Sequence, residues 1–315
     1  LRAAIPDYRE AVKIFRQINF KIELATSLND LGFVNAELGL FSDGRSLIRE
    51  ALELRQELAS RTGVAYCINT LAMLDVFEGK FEAAMTSAER ARSIFQTLKI
   101  ARGVGLCELT LAEARRRMSN QEDVPSPVQR LEGLESAIGH ADRALAIFDE
   151  IGEQLRRAQA FVEIGCARRD MVLAYHALSV EQQACDEIAR QSEDALRAAV
   201  QIAESVSLRW CIDAWVNLAW LGNYANDDAL RSEAEQAARD LIHRNRLDNY
   251  YVNQDSGKPK VEVDQAESWV WAQIGKLHAM RADHHFLQYQ RGKQQGRDRD
   301  VDNKNLEIAI TQYAI

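Results

Sequence analysis

Two stretches of the chain repeat each other in register at a spacing of 40 residues, and no other feature narrows the fold as far. In the first, Leu28, Leu31-Gly32, Gly39, Phe41, Gly44, Ile48 and Ala51 follow in order. In the second, the same places hold Ile68, Leu71-Ala72, Gly79, Phe81, Ala84, Ala88 and Ala91. Asn29 returns as Asn69, Ala25 as Ala65 and Leu58 as Leu98. Self-similarity at a fixed period of tens of residues marks a stack of like units, none of which can bury its apolar face alone. Composition sets the kind of unit. Only 4 prolines occur in 315 residues, and abundant Ala, Leu, Glu and Arg favour helix. Each unit therefore reads as two antiparallel amphipathic helices. Recurring Ala and Gly allow close helix contact, and Leu, Ile and Phe fill the space between units.

The pattern can be followed outward. Tyr8 to Ile18 resembles the second half of a unit. A third unit places Leu111-Ala112 at the Leu-Gly position, with its second helix over Ala137 to Ile151, displaced by about thirteen residues after the loop-like Ser119 to Pro127. A fourth has Cys166-Ala167 there, with a partner helix centred on Leu196 to Ile202, and a fifth has Leu218-Ala219, paired with Asp227 to Asn245. A sixth uses Ile274-Gly275 and pairs with Asn305 to Tyr313. The organisation expected is a helical-repeat segment over 1–247, a loop over 248–264 and a further hairpin over 265–315 carrying a charged linker at 292–304. The chain starts at Leu1 and ends within a helical pattern, which reads as a piece of a longer protein.

The two clear copies resemble the tetratricopeptide repeat, whose signature is a large apolar residue, Leu-Gly, Gly-x-Tyr/Phe, then Ala, a large apolar residue and Ala. Two departures stand out: Gln56 and Gln96 occupy the place of the usual terminal proline, and the period is 40 rather than 34. The resemblance implies an all-α, right-handed superhelical solenoid of antiparallel helix hairpins, with the extra length taken up in longer helices. The phrase Glu50-Ala51-Leu52-Glu53-Leu54-Arg55 is similar to the long repeats that form the C-terminal sensor of bacterial STAND/NB-ARC signalling ATPases. Similar arrays accompany caspase-like CHAT peptidases. The function implied is a non-catalytic interaction or sensor module, the regulatory part of a larger signalling protein. The alternatives are a peptide or small-ligand receptor whose superhelix closes on its ligand, or the regulatory arm of a CHAT peptidase.

The chemistry visible in the sequence agrees with a binding role. No phosphate loop, nucleophile elbow or H-E-x-x-H motif occurs, so no enzyme activity, cofactor or metal is expected. His278, His284 and His285 with Asp283 form the one histidine cluster, and spacing fixes no further ligand for it. A formal charge of −8 argues against a nucleic-acid partner, and no run of 18 apolar residues is present to span a membrane. Five cysteines without a C-x-x-C pair read as small buried apolar residues in a cytoplasmic protein.

In tetratricopeptide arrays the first helix of each unit faces the concave groove. By that resemblance the groove carries Asn29 and Phe33 from the first full unit, and Tyr66, Asn69, Met73 and Phe77 from the second. Arg116 and Arg117 follow from the third, Arg168 from the fourth and Trp220 from the fifth. Arg117 and Arg168 are expected to meet there and pair with an acidic segment of a protein or peptide partner.

Overall fold

The computed structural model describes residues 4–121, 126–245 and 268–294, with side chains over 272–285 in the last stretch. All regular structure among the described residues is helical. The helices are α1 (Ile5–Gln17), α2 (Lys21–Glu37), α3 (Phe41–Glu57), α4 (Arg61–Phe77), α5 (Phe81–Thr97) and α6 (Ala101–Ser119). They continue as α7 (Pro127–Ile151), α8 (Gln154–Ala177), α9 (Gln182–Val206), α10 (Leu208–Ala225), α11 (Asp228–Arg244) and α12 (Ser268–Gln294).

One local rule repeats every half unit at the N-terminal end. After each helix from α1 to α5, one residue enters the left-handed region: Asn19, Gly39, Ala59, Gly79 and Lys99, at φ of 54°, 79°, 49°, 77° and 56°. The next N–H then reaches back over the turn, from Phe20 to the Phe15 carbonyl, Leu40 to Asn35, Ser60 to Arg55, Lys80 to Asp75 and Ile100 to Phe95. This closes the last open carbonyls of each helix and fixes where it stops. A Cβ on Gly39 or Gly79 would meet no atom within 4 Å, so glycine is needed there for its backbone conformation and not for space.

Small residues set the helix spacing. A Cβ on Gly44 would lie 2.7 Å from the Gly32 carbonyl oxygen, and one on Gly32 would lie 2.6 Å from Ile48 Cγ1. Helices α2 and α3 are therefore in near-backbone contact. Ala51, Ala84, Ala88 and Ala91 are wholly buried at the equivalent contacts.

Later units depart from this regularity in a way the sequence reading placed only in part. Helix α7 starts at Pro127, ten residues before the expected Ala137. Ser126 accepts a hydrogen bond from the Gln129 N–H at 3.2 Å, and proline occupies the first turn, a strong local start signal. The thirteen extra residues therefore mostly lengthen the helix, and α7, α8 and α9 reach 25, 24 and 25 residues. Residues 122–125 of the expected insertion lie outside the described residues.

The first helices of successive units pack on one another in the series α2, α4, α6, α8, α10, α12, and form the inner layer of a solenoid. Helices α3, α5, α7, α9 and α11 cover them from outside. The stack curls far enough for Arg209, at the start of α10, to reach Glu37, at the end of α2, with Nη1 2.7 Å from Oε1. At one end α1 supplies the expected half unit against α2. At the other, α12 lies on α10 and buries Ile274, Leu277 and Met280 in the largest apolar cluster. It runs to Gln294, three residues into the stretch read as a charged linker. The loop at 248–264 and the expected helix over Asn305 to Tyr313 fall outside the described residues.

Candidate binding groove

The curl of the inner layer encloses a cavity of about 910 Å³, bordered by α2, α4, α6, α8, α10 and α12. A second hollow of about 280 Å³ opens beside it toward the first units. The two share Phe33, Met73, Glu113, Arg156 and Gln159 as lining residues. The main cavity has an apolar end, where the Phe33 and Phe77 rings lie 6.5 Å apart near Met73 and Phe41. At the far side Trp220 meets Tyr224 edge to face at 5.5 Å, and the Arg169 guanidinium lies 5.9 Å over the Tyr224 ring.

Between these aromatic ends runs a hydrogen-bonded polar ladder across four inner helices. Arg116 on α6 donates through Nε to Glu163 on α8 at 2.9 Å, and its Nη1 lies 3.6 Å from Asp170. Asp170 also accepts from Asn120 at 2.6 Å and from Arg169 at 2.5 Å. Arg169 in turn donates to the Asn217 amide oxygen on α10. The Asn217 amide nitrogen donates to the Asp213 carbonyl at 2.7 Å, and Asp213 Oδ1 accepts from Gln273 at 2.6 Å and Lys276 at 2.8 Å, both on α12. Burial works against the charge on Arg116, but Glu163 and Asp170 outweigh it and hold the guanidinium more firmly protonated than usual. Burial likewise pushes the Asp213 carboxyl up, and the Lys276 and Gln273 donors more than reverse this, leaving it below the ordinary range. The charged groups of this wall hold one another in place, as buried ionic groups must.

The cavity lining carries six cationic side chains, Arg116, Arg117, Arg156, Arg169, Arg209 and Lys276, against four carboxylates, Glu37, Glu113, Glu163 and Asp213. It is thus locally positive within a chain of net charge −8. Cys166 also lines it, with its thiol pushed up to about 12 by burial, which makes it unreactive.

Most of the residues assigned to the groove from sequence are found around these two hollows. Phe33, Met73, Phe77, Arg116, Arg117 and Trp220 line the main cavity, and Asn29, Phe33, Tyr66, Asn69 and Met73 line the smaller one. Two expectations need correction. Arg168 borders neither hollow; it turns outward and donates to the Gln191 carbonyl on α9 at 3.3 Å, so it does not meet Arg117. Arg117 instead pairs with Glu113 one turn back at 2.7 Å.

The reason is a register error of two residues in the fourth unit. The residue playing the part of Gly32 is Gly165 and not Ala167, because a Cβ on Gly165 would lie 2.5 Å from Leu196 Cγ and 3.3 Å from the Ser192 carbonyl on the partner helix. Moving the Leu-Gly place to Ile164-Gly165 puts Arg169, Gln159 and Glu163 on the groove face. Sequence reasoning also passed over Arg156, Arg209, Asn217 and Gln273. The I-G dipeptide at 164–165 was the available signal for α8, and Arg209 carried none.

Among the described residues no three His, Cys, Asp or Glu side chains group as a metal site, and no described helix is long and apolar enough to cross a membrane. The ring nitrogen Nδ1 of His284 lies 3.3 Å from Asn223 Oδ1.

No curated protein matches the chain in sequence. Three solved structures are similar in fold. BtubC from P. vanneervenii shares 18% identity at a TM-score of 0.53, covering 80% of this chain and 94% of its own. The apo form of RapI shares 13% at 0.54, covering 91% and 97%. A Rap protein complexed with competence and sporulation factor shares 13% at 0.57, covering 99% and 83%. Residues 23–97, the two regular units, match the tetratricopeptide repeat family, and the described residues have the fold of a helical-repeat solenoid.

Proposed function

We propose that the chain is a non-catalytic interaction and sensor module that holds an extended segment of a protein or peptide in its concave groove. One observation carries this reading. Asn29 and Asn69 stand at the same place in consecutive units, both line the smaller hollow, and the buried side-chain oxygen of each has no hydrogen-bond partner. Asn69 is only 5% exposed. Buried acceptors without donors are costly, and two of them spaced along a groove suit the repeating N–H groups of an extended main chain. The aromatic ends of the main cavity supply apolar anchors on the same path. A Rap protein of similar fold is complexed with competence and sporulation factor, which supports a protein or peptide partner for a solenoid of this kind. On the style of its long repeats, we read the module as the regulatory arm of a larger signalling protein. Its five buried cysteines, none in a disulfide, suit a reducing cytoplasm.

The test is retention of a pool of random hexapeptides on the immobilised chain. Asn29→Ala combined with Asn69→Ala is expected to abolish retention while helicity stays unchanged. Undiminished retention by the double variant would remove the asparagine ladder as the main-chain reader. Turnover of any retained peptide would overturn the non-catalytic assignment.

A further inference from the structure

The wall between the two hollows holds one cation treated differently from all the others. Each of the remaining five cavity cations has a carboxylate oxygen at hydrogen-bond distance. Arg116 has Glu163 at 2.9 Å, Arg117 has Glu113 at 2.7 Å and Arg169 has Asp170 at 2.5 Å. Arg209 has Glu37 at 2.7 Å and Lys276 has Asp213 at 2.8 Å. Arg156 has none. Its nearest carboxylate is Glu153, at 3.7 Å from Nε, and Glu153 is already held by Nε and Nη2 of Arg102 at 2.9 and 3.1 Å. The Arg156 Nε is buried without a hydrogen-bond partner.

The side-chain hydrogen-bond partner of Arg156 is neutral, and Glu153 is only a longer ion pair. The Arg156 Nη1 donates to the Gln159 side-chain oxygen at 2.7 Å, one turn along α8. That bond fixes which end of the Gln159 amide is oxygen and leaves its nitrogen as a second donor. Gln159 is 6% exposed and borders both hollows, as Arg156 does. Two donors, one of them cationic, therefore sit side by side in the shared wall. The Arg156 side chain is partly buried, 27% exposed; charge withdrawn from water is ordinarily paired, and a guanidinium fork matches a carboxylate in two places at once.

We propose that Arg156, with Gln159 beside it, is the anion anchor of the groove and takes a carboxylate of the bound peptide. The proposal rests on the reading of the concave face as a peptide groove, and it names the acidic feature of the ligand and the residue that selects it. The carboxylate comes either from a peptide C-terminus or from an Asp or Glu side chain. The pKa balance agrees with the geometry: burial lowers the pKa of Arg156 and the Glu153 and Glu37 charges do not make up the difference, whereas Arg116 and Arg169 are both raised.

The experiment uses three N-acetylated random hexapeptide pools on the immobilised chain, read by mass spectrometry. The first pool has a free C-terminus, the second is amidated, and the third is amidated and lacks Asp and Glu. Wild type should retain the first pool above the third, with the second ranking beside the first if a side chain supplies the carboxylate and beside the third if the C-terminus does. Arg156→Gln should lower retention of carboxylate-bearing peptides by about 10- to 100-fold and leave the third pool unchanged. Arg156→Lys should restore part of the loss, since it keeps the charge without the fork. Dependence on Arg156 for the first pool alone assigns the carboxylate to the C-terminus, and dependence for the second assigns it to a side chain. The Arg156→Gln protein should melt no lower than wild type, which separates anchoring from a structural role. Peptide retention that ignores both Arg156 and the carboxylates overturns the anchor and leaves the groove reading standing. Retention of no pool by wild type overturns both.

Discussion

The two regular units and the longer units that follow solve the same packing problem with different materials. In α2 to α5 the interior is apolar and small: Leu28, Ile48, Leu74, Ala51 and Ala91 are buried, and Asp75 is the one carboxylate among the buried residues there. Arg45 meets it at 2.6 Å. From α6 onward Glu108, Glu163, Asp170, Asp213 and Glu235 are buried, each with cations close by. The first region is held by shape, where tight helix contact leaves little room for error. The second is held by shape and by charge that is costly if any partner is lost. The groove lies where the second kind of wall faces the aromatic residues of the first.

That comparison is open to direct attack. The largest effect should come from Arg116→Met, which leaves Glu163 and Asp170 buried without their shared cation. We expect a loss of about 3–5 kcal/mol in urea unfolding, and a loss under about 1 kcal/mol would show that the ladder does not matter to the later units. Next, Ala51→Phe and Ala91→Phe overfill wholly buried contacts in the regular units. Each should cost about 1–3 kcal/mol and lower Tm clearly; an unchanged Tm would refute the tight-contact account.

A smaller effect should appear on acidification. Burial pushes the Glu108 carboxyl up, but His140, Arg143 and Arg92 around it more than compensate, so it stays below its ordinary 4.5. Asp213 likewise stays below 3.8. A carboxylate lowered in the folded state contributes stability above its unfolded pKa and loses it as pH falls through the folded value. Unfolding free energy should therefore drop as pH moves below these ordinary values, and Glu108→Gln should flatten part of that drop. A slope identical to wild type would sink the assignment. The least effect belongs to Lys21→Met, which breaks the Lys21–Glu57 pair, 42% and 58% exposed. Stability should change by less than about 1 kcal/mol.

How much of this was legible in advance can be judged residue by residue. Gly39 and Gly79 recur in register in the sequence, and both stand in turns where a left-handed residue is a local requirement. Phe33, Glu113, Trp220 and Lys276 follow from one another by the Leu-Gly register, and all line the cavity. In α8 that register had two readings, Ile164-Gly165 and Cys166-Ala167, each an apolar residue followed by a small one. Only the approach of Leu196 on α9 to Gly165 distinguishes them. The two-residue difference exchanges Arg168 for Arg169 on the groove wall.

By itself the sequence determined the unit: its length, its two helices, the turn between them and the small residues at their contact. These depend on interactions within some forty residues, repeated closely enough to be read by eye. The tertiary structure decided the curl of the stack. A solenoid bends by a small rotation at each unit, and only its sum brings Arg209 to Glu37 across 172 residues of chain. The same accumulation decides which arginines find a carboxylate and which one, Arg156, faces the groove without one at hydrogen-bond distance.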